Sequence, residues 1–222
     1  MIGGLLPASV VSEHAYDDSL QGRLYPEEEA AVARAVDKRR TEFRTTRSCA
    51  RRALDRLGAP VGVIGTGHRG VPLWPERVVG SMTHCDGYRA AAVAWRSDVA
   101  ALGVDAEPND VLPDGVLDLV TVESERPHLA TLPSAAGVCW DRLLFSAKES
   151  VFKAWYPVTR HELTFREAAL EFDPTARTFL ARLLVGGSPF GPELFGRWHC
   201  DRGLVVTAVV VPADADDRVN VR

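Results

Sequence analysis

The chain has 222 residues, 46% hydrophobic and 25% charged, with a formal net charge of −4. That length supports one large domain or two small ones with an ample core, and the acidic balance gives no reason to expect nucleic acid as a partner. Four cysteines (Cys49, Cys85, Cys139, Cys200) carry no C-x-x-C pairing, which argues against a zinc site or a disulfide framework and for a reducing, cytoplasmic setting.

Met1 to Val11 is mildly apolar but lacks a basic start, and Glu13, Asp17 and Asp18 follow, so it does not read as a signal peptide. No stretch approaches the roughly 20 apolar residues of a membrane span. Leu5, Val10 and Val11 fit a short strand. Pro26-Glu27-Glu28-Glu29 is a helix opening, with proline in the first turn and acids at the positive end of the dipole. The pattern predicts helix through Val32 and Val36 to Phe43, a break at Thr45-Thr46, and a second run to Leu57 with Gly58 as its stop. Arg34, Lys38, Arg39, Arg40, Arg44, Arg47, Arg51, Arg52 and Arg56 crowd this segment. Such a concentration reads either as a solvated face or as a wall for phosphate oxygens, which guanidinium forks match.

Ile64 to Pro75 is a loop punctuated by glycine and proline, without a phosphate-binding or dinucleotide fingerprint. Val78–Thr83 and Arg89–Trp95 predict a hairpin across Cys85-Asp86-Gly87-Tyr88, and His84 ends the first strand. In Ala101–Pro108, Leu102, Val104 and Ala106 alternate with Gly103, Asp105 and Glu107, the period of a strand. Asp105 and Glu107 therefore share a face and repel unless a cation lies between them. A hard divalent ion is the obvious neutraliser, and a third carboxylate from a packed helix would complete its site.

Asn109 to Leu132 is interrupted by proline and acids, with a short helical piece near Gly115–Val120. Trp140, Leu144, Ala147, Val151 and Trp155 then recur as one helical stripe that Pro157 should stop. Glu149 and Lys153 lie one turn apart, off that stripe, and Lys148 falls at its rim. Two further hairpins are predicted, Ala168–Phe172 with Phe179–Leu184 and Arg197–Cys200 with Leu204–Val211, before a polar tail from Pro212. A helix followed by antiparallel strands, twice over, is the pattern of an α+β fold.

Gly103-Val104-Asp105-Ala106-Glu107 and Phe145-Ser146-Ala147-Lys148-Glu149-Ser150-Val151-Phe152-Lys153 together resemble the two signatures of the 4′-phosphopantetheinyl transferases. Gly80-Ser81-Met82-Thr83-His84-Cys85 is similar to a third motif, found in the larger, surfactin-type class and its enterobactin and actinobacterial subgroup. The three motifs keep the family's order over about Arg34 to Val210. Ala106 stands where many members carry Ile or Val, and Arg69 where Lys is common.

The resemblance implies a monomeric pseudo-dimer of two similar halves, each a helix on a small antiparallel sheet, divided here as 1–103 and 104–222. It implies transfer of phosphopantetheine from coenzyme A to a serine of an apo acyl or peptidyl carrier protein, or of a carrier domain of a polyketide or nonribosomal peptide synthase. The other product is 3′,5′-ADP. Asp105, Glu107 and Glu149 become ligands of magnesium, with manganese as a substitute. Arg40, Arg47, Arg69, Gly70, Pro72, Thr83, His84, Lys148 and Lys153 become contacts to coenzyme A. Glu149, Lys153 and Glu107 carry the chemistry, with either Glu149 or Glu107 as general base, and Asn109–Leu132 covers the side that receives the carrier. Two other readings of the acidic cluster stay open: a magnesium-dependent phosphohydrolase or nuclease, and a non-catalytic binding module for coenzyme A or a carrier protein.

Overall fold

The computed structural model describes residues 1–20, 22–134 and 137–213. Beyond Ala213 the polar tail expected from Pro212 lies outside the described residues. In chain order the first elements are β1 (Val10–Ala15), α1 (Pro26–Ala31), α2 (Asp37–Leu57), β2 (Gly65–Thr66), β3 (Pro72–Leu73), β4 (Val78–Cys85), β5 (Tyr88–Trp95) and β6 (Val99–Pro108). They are followed by α3 (Val116–Val120), α4 (Glu125–Thr131), α5 (Trp140–Thr159), β7 (Ala168–Asp173), β8 (Thr178–Leu183), β9 (Glu193–Asp201) and β10 (Leu204–Pro212). All strand pairings are antiparallel, in a three-stranded sheet β1-β5-β4, a five-stranded sheet β6-β10-β9-β8-β7 and the small pair β2-β3. The architecture is α+β, with α2 on the first sheet and α5 on the second.

Period-two alternation assigns each face of a strand to a different core. On β5, Ala91 and Val93 pack under Cys49, Ala50, Ala53 and Leu54 of α2. The opposite face, Ala90, Ala92 and Ala94, meets Val104 and Ala106 of β6 and Val206 and Ala208 of β10. Small side chains on this face let the two sheets come close. On the far side of the larger sheet, Leu143, Leu144, Ala147 and Val151 of α5 bury Val205 and Val209 together with residues of β7 to β9.

The two sheets are also joined by hydroxyls. Ser81 Oγ accepts the Val104 amide at 3.0 Å, and Thr83 Oγ1 accepts the Ala106 amide at 3.1 Å. β4 thus satisfies the edge of β6 that does not pair with β10, without a backbone ladder. The division expected after Gly103 falls inside β6, which pairs with β10 from Val99 to Pro108. A break at the turn between Trp95 and Val99 keeps that strand whole.

Two helix boundaries differ from those expected. Helix α2 runs unbroken through Thr45-Thr46, because both threonines are buried and Thr46 Oγ1 donates back to Glu42 O at 2.7 Å. The interruption lies earlier, between Ala31 and Asp37, where Val36 is exposed. Pro157 does not stop α5 either. The helix reaches Thr159 and ends at Arg160 in the left-handed region, because a proline in the final turn removes only one hydrogen bond. Among the described residues no helix is long and apolar enough to cross a membrane.

Gly103 is where β6 touches α5. A Cβ there would stand 1.9 Å from Ser150 O and 2.6 Å from Ala154 N, both backbone atoms of the helix. Backbone cannot rotate away as a side chain can. Gly103→Ala should therefore lower the unfolding free energy by at least about 3 kcal/mol, the upper end of ordinary overpacking. Chemical denaturation reads this directly, and an unchanged midpoint would mean that α5 is not seated on β6 as described.

Candidate active site

A cavity of about 430 Å³ opens between the halves, lined by α2, the β2–β3 loop, β4 and α5. From α2 it receives Arg39, Phe43, Thr46 and Arg47, and from the loop Thr66, Arg69, Gly70, Val71 and Pro72. β4 contributes Met82 and His84, and α5 contributes Glu149, Phe152, Lys153 and Tyr156. Of the expected site residues, Arg47, Arg69, Gly70, Pro72, His84, Glu149 and Lys153 come together here.

Arg47 is only 4% exposed. Its guanidinium stacks 4.3 Å over Phe43, donates to Thr66 Oγ1 at 3.1 Å, and lies 3.9 Å from Glu28. Burial lowers its pKa to about 10, which still leaves it charged near neutrality. Glu28, read from sequence only as a helix-opening acid, is itself buried and binds Arg51 at 2.8 and 3.0 Å and the amides of Tyr25 and Ile64. It is the counter-charge that lets the wall be built indoors. Arg39 donates to His84 Nε2. Burial first, then Arg39 and Lys153, push the His84 pKa down to about 4, so the ring is a neutral acceptor at pH 7.

Three expected contacts do not line this cavity. Arg40 does not line the cavity; it is exposed, with Nη1 4.0 Å from Asp37. Seven residues separate it from Arg47, which shares a helix face but leaves about 10 Å along the axis. Its neighbour Arg39 reaches the cavity instead. Thr83 is buried, and its hydroxyl is spent within the seam, donating to Asp105 Oδ1 at 3.1 Å while accepting the Ala106 amide. Lys148 departs furthest from the expected phosphate contact. Its Nζ is buried and donates to Glu125 Oε2 at 2.9 Å, Phe165 O at 2.6 Å and Ala168 O at 2.9 Å. Three protons meet three acceptors, which leaves none for a phosphate. Glu125 in turn accepts the amides of Val122 and Leu170, so this pair fastens the α3–α4 segment to α5.

The acidic cluster lies at the inner edge. Asp105 is 3% exposed; its Oδ1 accepts from Lys153 Nζ at 2.6 Å, and its Oδ2 is buried without a hydrogen-bond partner. Glu107 is half-buried and accepts from Arg142 Nη1 at 3.2 Å. Burial, with the nearby charge of Asp105, raises the Glu107 pKa to about 7. The Glu149 carboxyl is raised chiefly by burial, which Lys153 opposes and Asp105 reinforces. Among the described residues no three His, Cys, Asp or Glu side chains stand as a ready metal site. Lys153 and Arg142 occupy the carboxylates instead. The orphaned Oδ2, beside two acids with elevated proton affinity, nevertheless gives an all-oxygen donor set that would suit magnesium.

Past Glu149 lies a second cavity of about 320 Å³, lined by Lys148, Glu162, Leu163, Thr164, Phe165 and Ala168 and sharing Arg69, Glu149 and Phe152 with the first. The β2–β3 loop straps across this region. Arg69 pairs with Glu162, and His68 Nδ1 lies 2.7 Å from the Tyr156 hydroxyl.

Comparison with known proteins places the chain in a family. A family model described as the 4′-phosphopantetheinyl transferase N-terminal domain matches residues 27–94, and one described as the 4′-phosphopantetheinyl transferase superfamily matches residues 101–209. The chain is 57% identical to the 4′-phosphopantetheinyl transferase Svp of Streptomyces mobaraensis, over 97% of this chain and 91% of that protein. It is 46% identical to PptT of Mycobacterium tuberculosis, over 95% of this chain and all of that one. The chain belongs to the 4′-phosphopantetheinyl transferase superfamily. Npt of Nocardia iowensis is 45% identical over 94% of this chain and 99% of its own length. This protein is accordingly a transferase that moves phosphopantetheine from coenzyme A to carrier proteins.

The raised Glu107 carboxyl has a consequence for stability. Its folded pKa of about 7 lies above the ordinary 4.5, so its contribution is complete below about pH 4.5 and is lost as pH rises through about 7. Glu107→Gln stays neutral throughout. In chelator, the unfolding midpoint of the variant should gain on the parent between about pH 5 and pH 8. A gap that does not change with pH would return Glu107 to an ordinary carboxylate.

Proposed function

We propose that the cleft binds coenzyme A with its 3′-phosphate against Arg39, Arg47 and His84, and its pyrophosphate toward Glu149 and Lys153. What supports this most is the close pairing of Lys153 Nζ with Asp105 Oδ1, 2.6 Å, one turn from Glu149, in a cavity also lined by the buried guanidinium of Arg47. In the same reading Asp105, Glu107 and Glu149 hold magnesium, or manganese in its place. When bound, the ion supplies the divalent charge that offsets the pyrophosphate oxygens.

The chain's own residues do the rest. Lys153 is the cation of the acid cluster before substrate arrives. Its ammonium would meet the negative charge that grows on the departing 3′,5′-ADP during transfer. Glu149 lines the cavity, and its carboxylate is the one placed there to take the proton of the attacking carrier serine. Glu107, which does not line the cavity, is left as a ligand. The second cavity, with Phe152, Leu163 and Phe165 in its wall, accommodates the pantetheine arm past Glu149. Acyl carrier proteins, peptidyl carrier proteins and carrier domains of polyketide or nonribosomal peptide synthases are the acceptors in this proposal. A monomeric, cytoplasmic enzyme completes it, in keeping with four free cysteines.

The decisive experiment incubates the protein with coenzyme A, magnesium and a panel of apo carrier proteins, and reads intact mass. Addition of one phosphopantetheine arm to a serine is expected, lost in chelator. Coenzyme A hydrolysis with no acceptor modified would instead favour a phosphohydrolase.

Lys153→Met separates binding from chemistry. Calorimetry should find magnesium–coenzyme A binding within a few-fold of the parent. Single-turnover transfer should slow by at least about a hundredfold, the scale of one lost transition-state stabiliser. Near-normal turnover would remove Lys153 from the mechanism.

A further inference from the structure

Arg142 stands outside both cavities and has no part in the reading above, yet each of its guanidinium nitrogens is committed. Nη1 donates to Glu107 Oε2 at 3.2 Å, Nε to Asp110 O at 2.9 Å, and Nη2 to Val111 O at 2.8 Å. The side chain is 16% exposed and that of Glu107 is 21% exposed, so this is not a solvated surface pair. The fork is anchored from behind as well. Asp141 accepts the amides of Leu112 and Arg142, each at 2.8 Å, and Asn109 bridges Gly137 O at 2.7 Å and the Cys139 amide at 2.8 Å. The first turn of α5 and the chain leaving β6 are thereby stitched together next to Glu107.

We propose that Arg142 is a positioning residue, a three-way clamp that fixes the Glu107 carboxylate at the end of β6 where the cation site needs it. The inference rests on reading Glu107 as a metal ligand. Glu107 is the penultimate residue of its strand, and Pro108 ends the strand at once. Its carboxylate hangs on three rotatable bonds. Among the described residues its side chain accepts a hydrogen bond from Arg142 alone, whereas Asp105 is held by both Thr83 and Lys153. Without Arg142 the Glu107 carboxylate would sample several rotamers, and the turn at Asp110–Val111 would lose the two carbonyl bonds that hold it against α5. A lysine keeps the charge but cannot reach three acceptors spread around a planar fork.

The test is the magnesium-dependent gain in coenzyme A affinity, taken from calorimetric titrations of coenzyme A in magnesium and in chelator. The parent, Glu107→Gln, Arg142→Met and Arg142→Lys are compared. In chelator both Arg142 variants should bind coenzyme A like the parent, because the guanidinium wall lies in the other half; this arm also reports that each is folded. In magnesium the parent should tighten, and both Arg142 variants should lose roughly tenfold to a hundredfold of that gain, the usual effect of removing a ligand's outer partner. Full tightening in Arg142→Met, while Glu107→Gln loses it, overturns the clamp and leaves the metal reading intact. Full tightening in Glu107→Gln overturns the metal reading itself. Recovery in Arg142→Lys but not Arg142→Met would assign the effect to charge and overturn positioning. Equal losses in chelator and magnesium would make Arg142 merely structural.

Discussion

Asp105 puts a carboxylate where almost no water can reach it. It is 3% exposed at the seam between the two sheets, and an isolated charge there would cost several kcal/mol. Two partners make it tolerable: Thr83 from β4 of the first half and Lys153 from α5 of the second. Neither half alone can satisfy that carboxylate. The packing of β4 on β6, the seating of α5 and the opening of the cleft are all arranged about this one shared ion pair.

The seam is made by small residues as much as by polar ones. Gly103 admits the backbone of α5, and the alanines of β5 let the sheets close on each other. Close approach has a chemical result. It brings the anions of β6 and α5 near one another in a dehydrated place, which raises the proton affinity of Glu107 and Glu149. The same dehydration, acting on the opposite charge, loosens the proton of Arg47 and keeps His84 neutral. Acids and bases are thus displaced in opposite directions by one cause, with Glu28 and Lys153 limiting the cost on each side.

Polar groups away from the cleft serve to fasten chain segments. The buried pair Lys148–Glu125 ties α5 to α4 and to the start of β7. Asn109, Asp141 and Arg142 tie the first turn of α5 to the exit of β6. Helix α5 is therefore held at its first turn and at its middle before any ligand arrives, so Glu149 and Lys153 are presented by a rigid element.

Local pattern determined a good deal by itself. Period-two alternation located β4, β5, β6 and the C-terminal hairpins, and it put Asp105 and Gly103 on one face of β6, because strand geometry depends only on neighbours in sequence. Helical spacing likewise placed Glu149 and Lys153 one turn apart. What local pattern could not determine was which polar atoms would be used up by partners far along the chain. Lys148 looked available because Glu125 is 23 residues away and the Phe165 and Ala168 carbonyls lie on a different element. Thr83 looked free because its acceptor, Asp105, is 22 residues distant. Arg39 rather than Arg40 entered the cleft because His84 of β4 met it there. Arg142 gave no signal at all, since its three acceptors become a single site only when β6 and α5 are brought together. Residue type and spacing decide what a side chain can do; the tertiary fold decides whether its donors and acceptors are still free to do it.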